Sequence, residues 1–173
     1  MKGVIAVCLA DLIKEKFGKD KWEEALEHAG LPKATFFMPS TNIEDEVILK
    51  VIDSVCHVLN ITLEEAADAF GEYWVNTYAP KVYKVYYRSK DSAREFLLNM
   101  DKVHKTVTET IPDAHPPRFE YQTIDNNTLI MKYISSRELI VFLIGLIKGV
   151  GKYYNEELTI TQIGSDKVKI VFL

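Results

Sequence analysis

Cysteine is scarce in this chain, with two in 173 residues. Cys8 and Cys56 form no CxxC or other metal-ligand spacing. Both fall among apolar residues in segments that read as helices, so they are expected to be buried, reduced thiols of a cytosolic protein. Clustered basic residues are also missing: the formal net charge is -4 and no Lys/Arg run occurs. That argues against nucleic acid as the main partner, because phosphate binding needs clustered cations. Long apolar runs are absent too. The longest near the C-terminus, Leu139 to Ile147, is far short of the roughly 20 residues a membrane span requires. Asp11, Lys14, Glu15 and Lys16 interrupt the apolar start before any small-residue cleavage site. A soluble, cytoplasmic protein without membrane contact is expected, and neither an internal repeat nor a low-complexity segment is present.

What the chain does contain is an ordinary globular balance, 47% hydrophobic and 27% charged. Its length fits one domain, or one domain with two lobes. The first two-thirds reads as helix. Val4, Ile5, Cys8, Leu9 and Leu12 recur at helical spacing up to Gly18. Asp20-Lys21-Trp22-Glu23 has capping-box form, and Gly30 before Pro32 is a stop signal. Thr41-Asn42-Ile43-Glu44 should open a third helix carrying Val47, Val51, Val55 and Leu59. Thr62-Leu63-Glu64-Glu65 should open a fourth, with Ala66, Ala69, Phe70, Tyr73 and Trp74 inward. Ser92-Ala93-Arg94-Glu95 should open another, with Phe96, Met100, Val103 and Val107 on one stripe. Pro112, Pro116 and Pro117 end that helix near Ile111.

From Phe119 the period shortens to two. Phe119–Thr123 and Leu129–Ser135 read as strands joined by a turn at Asp125-Asn126-Asn127. Leu139, Phe142, Leu143, Leu146 and Val150 return to helical spacing. Leu158–Ile163 and Val168–Phe172 form a closing hairpin around Gly164-Ser165-Asp166. The fold class is α+β, a helical N-terminal lobe followed by a four-stranded antiparallel sheet with a packed helix.

Of the four histidines, His28 suits the C-terminal end of a helix, where a cation complements the dipole. His57 has no evident partner in the sequence, and His115 precedes two prolines in a loop. His104 lies four residues after Met100 and three before Val107, bordering an apolar face. A neutral imidazole facing an apolar cavity is a good axial ligand for haem iron. Periodicity alone, however, also describes a structural or surface histidine, which is the commoner case. A second constellation is Tyr133-Ile134-Ser135-Ser136-Arg137. If the strand continues, Tyr133, Ser135 and Arg137 project from one face, offering two hydroxyls and a guanidinium to an anion such as a haem propionate. The polar outer face of an antiparallel strand would show the same alternation.

Taken together, Met100-Asp101-Lys102-Val103-His104, then Pro116-Pro117-Arg118, then Tyr133-x-Ser135-x-Arg137 resemble the H-NOX (haem nitric oxide/oxygen binding) family. Met1-Lys2-Gly3 and Gly145-Leu146-Ile147-Lys148-Gly149 add to the resemblance, which runs from end to end. It implies a single H-NOX domain over 1–173, with a distal helical lobe at 1–60 and a haem-binding lobe at 61–173. It implies haem b (iron protoporphyrin IX), with His104 as the axial ligand of ferrous iron. Tyr133, Ser135 and Arg137 would hold the propionates, Pro117 would press on the porphyrin, and Met100, on the ligand helix itself, would be a further haem-binding residue. Ile5, Leu9, Trp74, Tyr78, Phe142 and Leu146 would line the distal side. Oxygen-binding members resemble one another in carrying a tyrosine where this chain has Phe142, and phenylalanine has no hydroxyl to donate.

The expected function is therefore a sensor, not an enzyme. It would bind NO and CO at ferrous haem and signal in trans to a histidine kinase or a diguanylate cyclase. NO would weaken the iron–histidine bond and let the helical lobe rotate against the other. The alternatives are an oxygen-binding sensor of the same fold that uses Trp74 or Tyr78 as donor, a haem peroxidase or dioxygenase, and a module without haem. None of the distal residues is a His or Arg of the kind peroxidase chemistry uses.

Overall fold

The computed structural model describes every residue of the chain except Ser89. The chain divides into two compact units, 1–66 and 67–173. The first is helical. It contains α1 (Gly3–Phe17), α2 (Lys19–His28) and α3 (Asp45–Leu59), with α1 packing on α2 and α2 on α3. Their shared interior holds Leu12, Leu26, Ile48, Val51 and Val55, all almost wholly removed from water. The stripe of α3 is Ile48, Val51, Ile52 and Val55, while Val47 and Leu59 are only half-buried.

Two helices do not start where the spacing predicts. α2 begins at Lys19, directly after Gly18 at φ 94°, and no side chain caps it, so the Asp20 box does not form. α3 begins at Asp45, because Thr41 is spent in a turn, its hydroxyl donating to the Met38 carbonyl at 2.8 Å. That same loop requires Gly3, since a Cβ there would stand 2.1 Å from the Met38 oxygen. Cys8 is buried as expected, but Cys56 is half-exposed. His57 does have a partner: its ring stacks on His28 with centroids 4.2 Å apart.

α4 (Leu63–Tyr73) opens with the expected capping box. The Thr62 N–H donates to Glu65 Oε2 at 2.8 Å, and the Glu65 N–H to Thr62 Oγ1 at 3.1 Å. α4 then widens into a π-helical turn, Trp74–Tyr78, so Trp74 leaves the regular α4 stripe. Such a turn misaligns backbone partners. The Asn76 amide answers this by donating to the carbonyls of Glu72 and Gly149, both at 3.0 Å. Two short helices follow, α5 (Ala79–Val82) and α6 (Lys84–Tyr87).

The helix expected from Ser92 onward is two helices, α7 (Ala93–Leu98) and α8 (Met100–Thr110), parted at Asn99. Ser92 caps α7, accepting from the Glu95 N–H at 3.2 Å. At the break a single hydroxyl serves both helix ends. Tyr121 donates to the Leu97 carbonyl at 2.7 Å and accepts from the Asp101 N–H at 3.2 Å. This settles two of the backbone groups that helix termini leave unpaired.

The sheet contains β1 (Arg118–Thr123), β2 (Thr128–Ile134), β3 (Leu158–Ile163) and β4 (Lys167–Phe172), in the order β1-β2-β4-β3 and antiparallel throughout. Its period-two alternation turns Phe119, Leu129, Met131, Tyr133, Val168 and Ile170 inward. Met131 pairs with Val168, Leu129 with Ile170, and Phe119 with Tyr133. α9 (Ile140–Tyr154) contributes Leu143, Ile147 and Val150 to the same core. α9 also meets α4 with backbones touching. A Cβ on Gly145 would lie 2.1 Å from the Ala67 oxygen, and one on Gly71 2.1 Å from the Gly145 carbonyl carbon. No helix among the described residues is long and apolar enough to cross a membrane.

Candidate functional site

His104 stands in the second turn of α8, half-buried, with its ring 5.2 Å from that of Phe119. Its Nδ1 lies 2.7 Å from the Pro117 carbonyl oxygen. A carbonyl only accepts, so Nδ1 carries the proton and Nε2 keeps its lone pair. Burial pushes the imidazole below its ordinary pKa, partly countered by that hydrogen bond and by Asp101. The ring is thus neutral at pH 7, with its acceptor nitrogen turned away from the tethered edge. This is the state an axial imidazole must have, and a backbone carbonyl on the other nitrogen is how ligating histidines are commonly oriented.

One helical turn earlier, Asp101 grips the same strand start. Its carboxylate accepts from Arg118 Nε at 2.7 Å and Nη2 at 2.6 Å, and from the Phe119 N–H at 2.9 Å. The Arg118 guanidinium, above all, holds the Asp101 carboxyl down at about 2. α8 is therefore fastened to residues 117–119 by two side chains on one face, Asp101 and His104. Met100, beside them, is half-buried against the sheet core.

Tyr133 sits on β2, 9% exposed, with its ring 6.2 Å from Phe119. Ser135 and Arg137 do not continue that strand as expected. β2 stops at Ile134, and the chain bends so that the Arg137 N–H donates to Ser135 Oγ at 3.3 Å. The expected comb of three on one strand face is therefore a strand residue followed by a turn. The turn sends the Arg137 guanidinium to the His115 carbonyl, Nη1 to oxygen 2.7 Å. Segment 115–117 thus meets both groups, Arg137 through His115 and His104 through Pro117. Sequence spacing alone placed the two motifs on separate elements, and this loop joins them.

Among the residues expected on the distal side, Trp74 and Tyr78 stack with centroids 5.6 Å apart. Phe70 stacks on Trp74 at 5.9 Å and meets Phe142 edge-on at 5.8 Å. Leu146 is half-buried on α9 one turn beyond Phe142. Ile5 is half-buried and Leu9 buried on α1, within the first unit. Phe119 and Tyr121 stand out in the sequence only as strand residues, and Asp101 and Arg118 only as members of motifs. The Asp101–Arg118 pair spans 17 positions and two elements, so periodicity does not reveal it.

A family model described as haem-NO-binding matches residues 2–162. The chain belongs to the H-NOX family. Members are haem-based gas sensors related to the haem domains of soluble guanylate cyclases. Among relatives from Caenorhabditis elegans, soluble guanylate cyclase gcy-32 is 24% identical over 157 residues, covering 88% of this chain and 23% of its own length. Soluble guanylate cyclase gcy-34 is 25% identical with the same coverage. The chain thus spans about a quarter of the cyclases it matches. Solved structures share the fold at 24% identity. An oxygen-binding H-NOX domain related to soluble guanylate cyclases, in its oxygen complex, superposes with a TM-score of 0.82, covering 99% of this chain and 95% of that one. A structure described in connection with H-NOX activation gives 0.86, covering 99% and 96%.

Proposed function

We propose that this chain is a sensor that holds haem b through His104, binds NO at ferrous iron, and signals to a separate effector protein. The observation that carries this reading is the bond from His104 Nδ1–H to the Pro117 carbonyl, which leaves Nε2 as a neutral donor of its lone pair. The residues fit the group. The imidazole is neutral, Phe119 packs beside it, and the nearby turn supplies the Ser135 hydroxyl and the Arg137 guanidinium for propionates, with the Tyr133 phenol on the adjoining strand. Pro117 touches the ligand ring through its own carbonyl, which supports its assignment to the porphyrin face.

His104 would hold the haem, which would supply an iron able to take up NO and, in doing so, to loosen its bond to that imidazole. The chain's own residues determine how that loss is transmitted. His104 is tied to Pro117, and Asp101 to Arg118, by hydrogen bonds of their own. Displacement of α8 is therefore shared with segment 115–119 instead of being confined to the helix. The differential energy that any such switch needs comes from that one ligand bond. On the distal side Phe142 offers no hydrogen to bound dioxygen, so NO and CO are favoured and oxygen is held weakly. Trp74 stacks on Phe70, and Tyr78 on Trp74, which supports packing over a hydrogen bond to the gas for both. We read this chain as a sensor and not as an enzyme. Its output is assigned to a histidine kinase or a diguanylate cyclase acting in trans.

Absorption spectroscopy of the ferrous protein, alone and under NO, CO and air, tests the proposal. A five-coordinate nitrosyl spectrum at equilibrium is expected, with no stable oxygen complex. A persistent oxygen complex in air would favour an oxygen sensor of the same fold. A colourless protein after haem supplementation would overturn the reading altogether.

A further inference from the structure

Tyrosine is unevenly spread in this chain. Of nine, five fall at Tyr73, Tyr78, Tyr83, Tyr86 and Tyr87, and two more at Tyr153 and Tyr154. Trp74 lies among the first five, and its ring continues into theirs. The Trp74 centroid is 6.1 Å from that of Tyr83, and Tyr83 is 6.4 Å from Tyr86. Inward, Trp74 reaches Phe142 through Phe70. Outward, the row ends at Tyr86 on α6, partly open to solvent between the exposed Val82 and Val85 and the half-exposed Tyr87.

The row changes chemical character along its length. Phe70 and Phe142 are not oxidised under biological conditions, whereas indole and phenol each give up one electron together with one proton. Tyr83 and Tyr86 are both partly exposed, which brings the oxidisable end of the row to solvent. Contact between rings a few ångströms apart gives electron exchange a continuous path.

We propose that Trp74, Tyr83 and Tyr86 form a one-electron relay that carries an oxidising equivalent from the distal side of the haem to the surface, where a small thiol quenches it. The inner end of the relay rests on the haem reading above, while the ring-to-ring part does not. The chemistry balances. A hydroperoxide that reached the haem adventitiously, without the distal acid–base groups of a peroxidase, would take two electrons and two protons on its reduction to alcohol and water. Trp74 supplies one electron and releases its indole proton, and a second passage supplies the other. The Trp74 radical regains one electron and one proton from the Tyr83 phenol, which becomes a phenoxyl radical. Tyr83 is restored in the same way by Tyr86, and Tyr86 by the S–H of the thiol. Two thiyl radicals then combine as a disulfide. The first ring-to-ring step runs downhill, since a phenol losing both particles is the better donor. Burial pushes the Tyr83 phenol up, so its electron and proton leave together.

The relay can be tested without haem. Pulse radiolysis with azide radicals oxidises tryptophan to the indolyl radical in the 173-residue chain without haem. The Trp22→Phe background leaves Trp74 as the single indole, because the chain has two. The indolyl absorption should decay independently of protein concentration while the phenoxyl absorption rises at the same rate. The Tyr78 phenol also stacks on Trp74, at 5.6 Å, so the comparison is made in a Tyr78→Phe background, where Tyr83→Phe should slow that transfer at least tenfold. Tyr86→Phe should preserve it but make the phenoxyl at least tenfold slower to react with added glutathione. An unchanged rate in Tyr83→Phe, or a decay that scales with protein concentration, overturns the relay. In haem-loaded protein treated with hydroperoxide, a phenoxyl signal in electron paramagnetic resonance should appear and be lost in Trp74→Phe. Transfer in the apo chain combined with failure to take up porphyrin would sink the haem reading and leave the ring-to-ring relay standing. Haem uptake without transfer would do the reverse.

Discussion

Asp101 holds Arg118 in a two-pronged ion pair, Nε and Nη2 at 2.7 and 2.6 Å, one helical turn before His104 on the same helix. The same carboxylate also takes the Phe119 N–H. The end of α8 that carries His104 is therefore moored to β1 by charge as well as by apolar contact.

Asp101→Asn should lower stability at pH 7 by about 1 kcal/mol, since the pair is partly open to water and the full shift of the carboxyl does not convert into stability. The sign comes from linkage. The folded carboxyl is depressed to about 2, below its value in the unfolded chain, so this stability is present above pH ~4 and is lost as pH falls toward 2. Urea denaturation of both proteins at pH 7 and at pH 3 should show the gap narrowing in acid. A gap that stays constant would mean that packing, and not the ion pair, is what Asp101 contributes.

His104→Gly should abolish stable haem retention, and free imidazole at high concentration should restore the porphyrin absorption. Replacing the ring removes the ligand without disturbing Asp101. Haem retained by the variant without added imidazole would place the axial ligand elsewhere.

Phe142→Tyr should convert weak oxygen binding into a persistent ferrous oxygen complex. A hydroxyl donated to a partly charged ligand is worth roughly 1.5–3 kcal/mol, or about one to two decades in affinity. Oxygen titration of the ferrous variant reads this directly. No gain would mean that the edge contact with Phe70 holds the new hydroxyl away from the ligand.

Gly145→Ala should destabilise the second unit by about 3 kcal/mol or more, because its Cβ would lie 2.1 Å from the Ala67 oxygen and 2.5 Å from its carbonyl carbon. Gly164→Ala is the matched control. Nothing stands within 4 Å of that position, and only its φ of 65° opposes a side chain, at about 1 kcal/mol. Equal losses in chemical denaturation would refute the close contact between α4 and α9.

Much of this was legible in the order of residues. The Thr62–Glu65 box, the Ser92 cap, the three prolines ending α8 and the alternation of Leu129, Met131 and Tyr133 each act locally, so spacing reveals them. His104 and the Tyr133-x-Ser135-x-Arg137 run were visible as motifs, but their junction was not. Arg137 reaches the His115 carbonyl only because β2 stops at Ile134 and the chain turns. The break at Asn99 was hidden for a similar reason, since the hydroxyl that serves both helix ends comes from Tyr121, two strand residues past Phe119. The π-helical turn at Trp74–Tyr78 leaves the apolar pattern nearly unchanged and depends on an amide contact to a distant helix.

The two carbonyls offered by His115 and Pro117 sit two residues apart, so even fully stretched chain leaves them within about 7 Å of each other. Pro117 takes the His104 imidazole and His115 the Arg137 guanidinium, the two groups proposed for the iron and the propionates. Prolines at 116 and 117 fix φ at two successive joints, so a link this short bends little. On the proposed reading, a pull on His104 would also reach Arg137, and the prosthetic group would feel a change of gas at its centre and its rim at once.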